Sequence, residues 1–534
     1  MPPSSLNLIT SPWLPVRRAS GLREMIAPHQ LTKDFTDDPI MALDFGRPDL
    51  DGAVTEFLIG LFAVGMGPED TAAWAAVWRA PPSPEALHEV LAPLAFAFNL
   101  GGDGPRCFQD LDELQKAELT PILHILIDYP GENALKLNTD HFAKRDVRNV
   151  SSPEAAAALI MLQTWAPSGG AGHRTSMRGG GPLTTLARSP RVLSDGRAIT
   201  TLWDLIWINI PETNEAPAHN EKLFPWLGPA RTSSNQEVVN SDPAIAHSLQ
   251  AFFGTPRRIR LEFDSQGVAV AYRTLPNGAN YPAEAWRHPL SPYYKEAKGS
   301  ILPVHPRAGP ESYRDWLGVL VNGDNALRAT CINTLSGRLE RIGIARKDRR
   351  TSILAFGYDQ DNAKSRGFVS QSVPWINAAN PHAFSAAMSA GVAAAEAAAR
   401  GTRHAVQMAR HGEVSLSDTG SAFLKLRDEG KKAAEDVYHA FFALTEPDFR
   451  VYLDTVALLE HFEDGREARS IFAAACRRVA RQLFAAHVDD ASREHVLRRS
   501  VLAEKWLGIA LHVPKAKTYV FNSLQLTVQE TQHG

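Results

Sequence analysis

Apolar positions recur at helical spacing in several separate blocks of the chain. Val54, Phe57, Leu58, Leu61 and Val64 share one face between about residues 53 and 65 and predict a helix. Ser83-Pro84-Glu85-Ala86 is a helix start with proline in the first turn, and Leu87, Val90, Leu91 and Leu94 form its buried face. A helical stretch follows Phe108-Gln109-Asp110 and runs through Leu126, and an alanine-rich helix covers Pro153 to Trp165. Strand patterns are fewer. Leu6-Asn7-Leu8-Ile9 reads as a short strand, and Pro12 and Pro15 exclude helix in the segment after it. Alternation from Arg257 to Phe263, a turn at Asp264-Ser265-Gln266-Gly267 and a second run from Val268 to Tyr272 predict a hairpin. A further strand is expected at Ile353-Leu354-Ala355-Phe356.

After about residue 380 the period becomes helical throughout. The faces are Met388 to Ala409, then Phe423, Leu426, Ala433, Val437, Phe441 and Leu444, then Tyr452, Val456, Leu459 and Phe462, then Phe472 to Leu483, then Leu502, Trp506 and Ile509. Consecutive amphipathic helices with short connections predict an antiparallel bundle. Thr518-Tyr519-Val520-Phe521 is strand-like. The whole pattern predicts an α+β fold. A large mixed N-terminal domain spans residues 1–378, a C-terminal antiparallel four-helix bundle spans 379–515, and a tail spans 516–534.

Composition narrows the function classes. With 534 residues, 44% of them hydrophobic, the chain can build substantial cores, which excludes global disorder. The net charge of −3 gives no overall basic bias. Any nucleic-acid contact therefore rests on local patches or on a larger basic assembly. The three cysteines, Cys107, Cys331 and Cys476, lie far apart without a C-x-x-C pair. That excludes a cysteine zinc ribbon, makes a disulfide framework improbable and fits a cytoplasmic protein. No signal-peptide pattern and no apolar run of membrane-spanning length is evident. The expectation is no membrane, no metal and no cofactor.

The most informative stretch is Ala166-Pro167-Ser168-Gly169-Gly170-Ala171-Gly172-His173-Arg174-Thr175-Ser176-Met177-Arg178-Gly179-Gly180-Gly181-Pro182. Two glycine clusters flank Arg174 and Arg178. Glycine lets backbone approach a ligand closely, and arginine supplies charge and forked donors for phosphate. The same pattern also fits plain tight turns. It is not a P-loop, since no Gly-Lys-Ser/Thr ends either cluster, and the G-x-G-x-x-G spacing fails. A second basic cluster runs from Arg338 to Arg350, including Arg341, Arg346, Lys347, Arg349 and Arg350. It is either a solvated face or a phosphate-tracking segment. Ten residues on, Gln360-Asp361-Asn362-Ala363 offers groups that read base edges or form turns. No catalytic motif is present. His404 and His411, seven apart beside Arg400, Arg403 and Arg410, read as a polar helix face and not as a metal pair.

These residues carry a resemblance to the large subunit of the type I-E CRISPR Cascade surveillance complex, the CasA family. It covers most of the chain: Asn7-Leu8-Ile9 with Pro12 to Arg17, Phe108-Gln109, the Ala166 to Thr185 stretch, Trp286-Arg287-His288-Pro289-Leu290-Ser291-Pro292, Gly357-Tyr358 and the C-terminal helices. The resemblance implies a non-catalytic subunit of a crRNA-guided antiviral complex. Such a subunit recognises the protospacer-adjacent motif in double-stranded DNA, promotes duplex opening and recruits the helicase–nuclease. Its implied partners are crRNA, target DNA, the backbone, handle-binding and small subunits, and the helicase–nuclease itself. The implied motif contacts are Gly169, Gly170, Ala171 and Gly172 in the minor groove, Asp361 as the groove reader with Gln360 as the fallback, and Asn362 and Ala363 as the wedge. The expected basic groove residue falls near Asn277, and Arg273 is the nearest cation. Arg174, Arg178, Arg346, Lys347, Arg349 and Arg350 are expected on nucleic-acid backbone. Asn133, Lys136 and Lys144 are expected on a loop near the crRNA handle. Ser152-Pro153-Glu154-Ala155 stands where some relatives carry cysteine zinc ligands, so no zinc is expected. The alternatives are a pure scaffold subunit and, from another class, a metal-dependent hydrolase.

Overall fold

The computed structural model describes residues 6–129, 149–170, 172–192, 198–213, 215–216, 218–296, 298–306, 312–316, 318–320, 322, 326–343, 351–361, 364–376, 378–416, 422–426, 434–488, 494–512 and 519–526. Two compact units divide the chain. One comprises residues 1–308 and 327–375, the other 309–326 and 376–534.

The first unit opens with a small antiparallel sheet. Strand β1 (Leu14–Arg18) lies between β2 (Arg23–Ile26) and β3 (Ile40–Leu43). Helix α1 (Pro48–Met66) follows, with Pro48 in its first turn and Asp49 and Asp51 facing its positive end. Its apolar residues are buried around most of the circumference, so α1 is a core helix. Asp70 caps α2 (Thr71–Arg79) and Ser83 caps α3 (Pro84–Leu91). Around Phe57 of α1, the rings of Phe98, Phe108, Phe224, Trp226 and Phe253 form one aromatic cluster, with mostly edge-on contacts such as Phe57–Phe98 at 5.9 Å and Phe98–Trp226 at 5.6 Å.

Strand β4 (Leu119–Pro121) leads to helix α4 (Ser152–Trp165), which starts on a capping box between Ser151 and Glu154. Next come β5 (Thr184–Arg188), β6 (Arg258–Phe263) and β7 (Ala269–Leu275). The expected hairpin is present as β6 and β7, with β4 paired along the outer edge of β7. Helix α5 (Thr330–Arg341) precedes a long antiparallel ribbon made of β8 (Ser352–Asp361) and β9 (Lys364–Pro374). β5 pairs with the base of β8, Ser352 opposite Arg188 through Phe356 opposite Thr184, so the end of β8 extends beyond the three-stranded part.

In the second unit, Asn380 caps the 31-residue helix α6 (Pro381–His411). It packs against α7 (Glu435–Val456), α8 (Arg466–His487) and α9 (Glu494–His512). Gly391 of α6 allows close approach, since a Cβ there would lie 2.7 Å from the Tyr452 ring. The segment around Tyr313 belongs with these helices. Tyr313 stacks on Phe449 at 4.0 Å, and its hydroxyl is 2.8 Å from Thr445 Oγ1. The division thus differs from a single cut near 378, because aromatic burial draws an earlier piece of chain to the helices.

Several local expectations are corrected. The stretch before Leu126 is not a helix; Asp110 and Asp112 accept from the Asp112 and Leu114 backbone N–H groups, and Leu119–Pro121 joins a sheet. Phe423 and Leu426 lie on a strand, Ala422–Leu426, paired with Gly412–Leu416, and Phe423 is exposed. Leu6–Ile9 makes one isolated bridge at Asn7, whose side chain accepts from the Ile9 and Thr10 N–H groups and turns the chain. Tyr519 to Phe521 leads into a short 3-10 turn, Asn522–Leu524, with Phe521 and Leu524 buried. Leu459 and Phe462 also fall beyond the end of α7. No single described helix is long and apolar enough to cross a membrane.

Candidate nucleic-acid interface

Helix α4 delivers the chain into the glycine stretch through Trp165 and Ala166, both fully buried. Ser168, Gly169, Gly170 and Gly172 then emerge at the surface. Gly170 has φ +64° and Gly172 φ +85°, conformations that favour glycine. The Gly170 carbonyl accepts from the His173 N–H at 2.8 Å and closes a turn. Both ends of this turn are gripped. Arg257 Nη2 donates to the Pro167 carbonyl, and the Asn277 N–H donates to the Gly172 carbonyl at 2.9 Å. A Cβ at Gly172 would lie 2.7 Å from Asn277 Oδ1, whereas one at Gly170 would meet nothing within 4 Å. Ala171 lies outside the described residues.

The second glycine cluster serves a different purpose. A Cβ at Gly180 would lie 2.8 Å from Gln360 Oε1 and 3.5 Å from the Ser168 nitrogen. A Cβ at Gly181 would lie 2.5 Å from the Tyr358 carbonyl oxygen. These glycines let the chain lie flat against β8, and they bring the start of the exposed turn next to the end of the β8–β9 ribbon. Gln360 Nε2 also donates to the Trp165 carbonyl at 3.3 Å. At the ribbon's far end Asp361 is paired in register with Lys364, and Arg366 makes a two-point ion pair with Asp359 at 2.6 and 2.9 Å. Asn362 and Ala363 lie outside the described residues, as do Asn133, Lys136, Lys144, Arg346, Lys347, Arg349 and Arg350.

Among the arginines, Arg178 requires a correction. It is 3% exposed and forms an ion pair with Glu56 at 2.7 Å, with further bonds to Thr184 Oγ1 and Ser291 Oγ. It is an internal clamp joining the glycine stretch to α1 and to the Trp286–Pro292 run, and it is not available to a phosphate. Burial pushes the Glu56 carboxyl up against the pull of Arg178, and pushes the adjacent His288 well down, with Arg178 adding to the effect. Glu56 is a partner that sequence reading passed over; its one signal is a lone carboxylate within an apolar helical run. Arg273 is likewise engaged, with Nε 2.9 Å from Glu262 Oε1 and Nη1 2.6 Å from the Ala117 carbonyl oxygen, so it ties the hairpin together. Arg174 is half-buried and donates from Nε to Ser233 Oγ at 2.9 Å. Arg338 is buried over the Trp74 ring, and Arg341 donates to Thr71.

His404 lies edge-on to Trp506 at 5.1 Å, and burial beside Arg403 lowers its pKa. Among the described residues no group of three His, Cys, Asp or Glu side chains is arranged to hold a metal ion. The three cysteines are free and buried.

Comparison with known proteins fits this architecture. Residues 7–483 match the family described as CRISPR-associated protein Cse1. The fold is similar to that of Thermobifida fusca Cse1, with a TM-score of 0.68 at 18% identity, covering 99% of this chain and 98% of that one. It is also similar to Thermus thermophilus CasA, with a TM-score of 0.67 at 16% identity, covering 95% and 99%. A chain of a solved CRISPR RNA-guided surveillance complex matches with a TM-score of 0.63 at 16% identity, over 95% and 100%. No curated protein matches the chain. A match over most of the sequence, together with this mixed fold and its C-terminal helices, places the chain in the CRISPR-associated Cse1 family.

Proposed function

We propose that this protein is a non-catalytic subunit of a crRNA-guided surveillance complex, and that it reads the protospacer-adjacent motif of double-stranded DNA with the turn at Gly169–Gly172. The observation that carries this reading is the turn itself. It is exposed, bare of bulk, held at both ends by hydrogen bonds and set beside the end of the β8–β9 ribbon. A rigid backbone edge of this kind suits a narrow groove, where the readable groups are few and side chains obstruct. In this reading Asp361, at the end of β8, is the groove reader, and Asn362 and Ala363 are the wedge that promotes duplex opening. The protein is joined by crRNA and the other subunits, with Asn133, Lys136 and Lys144 toward the RNA handle, and it offers a docking surface to the helicase–nuclease.

Gly170 provides the test. Asparagine tolerates its backbone conformation better than most residues, and the Cβ it adds meets nothing within 4 Å. Gly170→Asn and Gly170→Asp in the reconstituted complex are expected to abolish motif-dependent duplex binding in a gel-shift panel of randomised flanking motifs, while crRNA assembly persists. Unchanged binding overturns the reading. Loss of assembly instead of duplex recognition assigns the turn to a scaffold role. Metal-dependent nuclease activity lost on changing His404 or His411 assigns the chain to the hydrolase class.

A further inference from the structure

Arg257 stands at the entrance to β6, and its backbone is fixed from both sides by one side chain. Its N–H donates to Gln163 Oε1 at 3.0 Å, and Gln163 Nε2 donates to its carbonyl at 3.0 Å. Gln163 lies in the last turn of α4, just before the exposed turn begins. The Arg257 side chain then runs beneath that turn. Nη2 holds the Pro167 carbonyl, and Nη1 lies 2.6 Å from where a Cβ of Gly169 would be. The Cβ of His173 lies equally close, 2.6 Å from that point, so Gly169 sits between the guanidinium and a backbone-fixed atom with no room for a side chain. That differs from the open front of Gly170.

The charge of Arg257 is also unusual. The residue is 9% exposed, and among the described residues its Nε has no hydrogen-bond partner and no carboxylate pairs with it. Of the neighbouring cations, Arg178 is ion-paired with Glu56 and Arg273 with Glu262, while Arg174 donates to the uncharged Ser233 hydroxyl. Burial draws its pKa down to about 10, so it remains charged at neutral pH. Burial and Arg257 together lower His173, which leaves Arg257 and Arg174 as the cations at this turn. A buried, unneutralised charge is unfavourable by itself. It becomes favourable when a polyanion closes over the turn in front of it.

We propose that Arg257 is the positioning residue of the glycine turn, splinting it through Pro167 and supplying, from beneath the backbone, positive charge toward DNA phosphates. This rests on the reading of the turn as a duplex contact. The geometry separates two contributions: the fork holds the loop, and the charge attracts the duplex.

The experiment uses the full chain in the reconstituted complex, with a guide-matched duplex bearing each flanking trinucleotide, titrated from low to physiological salt. Arg257→Met is expected to weaken motif-dependent binding by about tenfold, the weight of one charge-assisted contact. It should also flatten the dependence of log K on log salt by about one. Arg257→Lys, which keeps the charge and loses the fork, is expected to retain the salt slope while discriminating less between flanking motifs. A merely structural role leaves the slope unchanged, and that result in a folded Arg257→Met complex overturns the proposal. If Arg257→Met does not fold, a reduced slope in Arg257→Lys overturns it instead. Wild-type binding by Arg257→Met alongside failed binding by Gly170→Asn removes this proposal alone. Wild-type binding by both removes the reading of the turn as well.

Discussion

Asp51 lies in the first turn of α1, where its Oδ1 accepts from the Phe45 N–H at 3.0 Å. Burial, with Asp44 and Asp49 nearby, pushes its pKa up to about 6. An acid whose folded pKa is raised loses its proton first in the unfolded chain, so it reduces stability as pH climbs from about 4 to 6. Asp51→Asn keeps the acceptor and removes the charge. It is expected to raise the melting temperature at pH 7, with the gain shrinking toward pH 4, as followed by thermal unfolding at both pH values. Residue types in the glycine stretch were legible in the sequence, but their partners were not. Arg174 and Arg178 look equivalent in a string of letters. The structure separates them because Glu56, 122 positions away, neutralises one, while Ser233 merely hydrogen-bonds the other. Long-range pairing of this kind leaves no local pattern.

Among the helices, two glycines carry opposite expectations. Gly60 of α1 faces Phe252, whose Cβ lies 2.5 Å from where a Cβ at Gly60 would be. Gly60→Ala is expected to destabilise by about 1–3 kcal/mol through overpacking. Gly508 of α9 has nothing within 4 Å of that point, so Gly508→Ala is expected to stabilise by about 0.5–1 kcal/mol through helix propensity. Denaturant midpoints of the two variants should move in opposite directions. Elements with strong local signals were readable: the Ser83-Pro84 start of α3, the alanine-rich α4 and α6, and the β6–β7 hairpin. Phe423 and Leu426 misled because a spacing of three suits a helix, whereas pairing with Gly412–Leu416 decided for strand. Local side-chain bonds from Asp110 and Asp112 decided against helix before Leu126.

At the scale of the whole molecule, the helical unit recruits a piece of chain from well before its own helices. Tyr313 is fully buried and stacks on Phe449. Tyr313→Ala is expected to cost the unit about 3–5 kcal/mol, the range for truncating a buried aromatic. The check is a lowered unfolding midpoint reported by hydrogen exchange in α7. The mixed character and the C-terminal helices were legible, since period and composition change near residue 380. The recruited segment was not, because its partners lie more than a hundred residues downstream.

The unequal surroundings of the turn glycines give them different evolutionary liberties. Positions 169 and 172 are crowded by Arg257 and His173 and by Asn277, so a side chain at either clashes with the scaffold. Position 170 has open space at its Cβ, so a substitution there meets the strain of its positive φ and no clash within 4 Å of that atom. If the turn meets duplex DNA as proposed, position 170 is where a change reaches the ligand at the cost of local backbone strain alone.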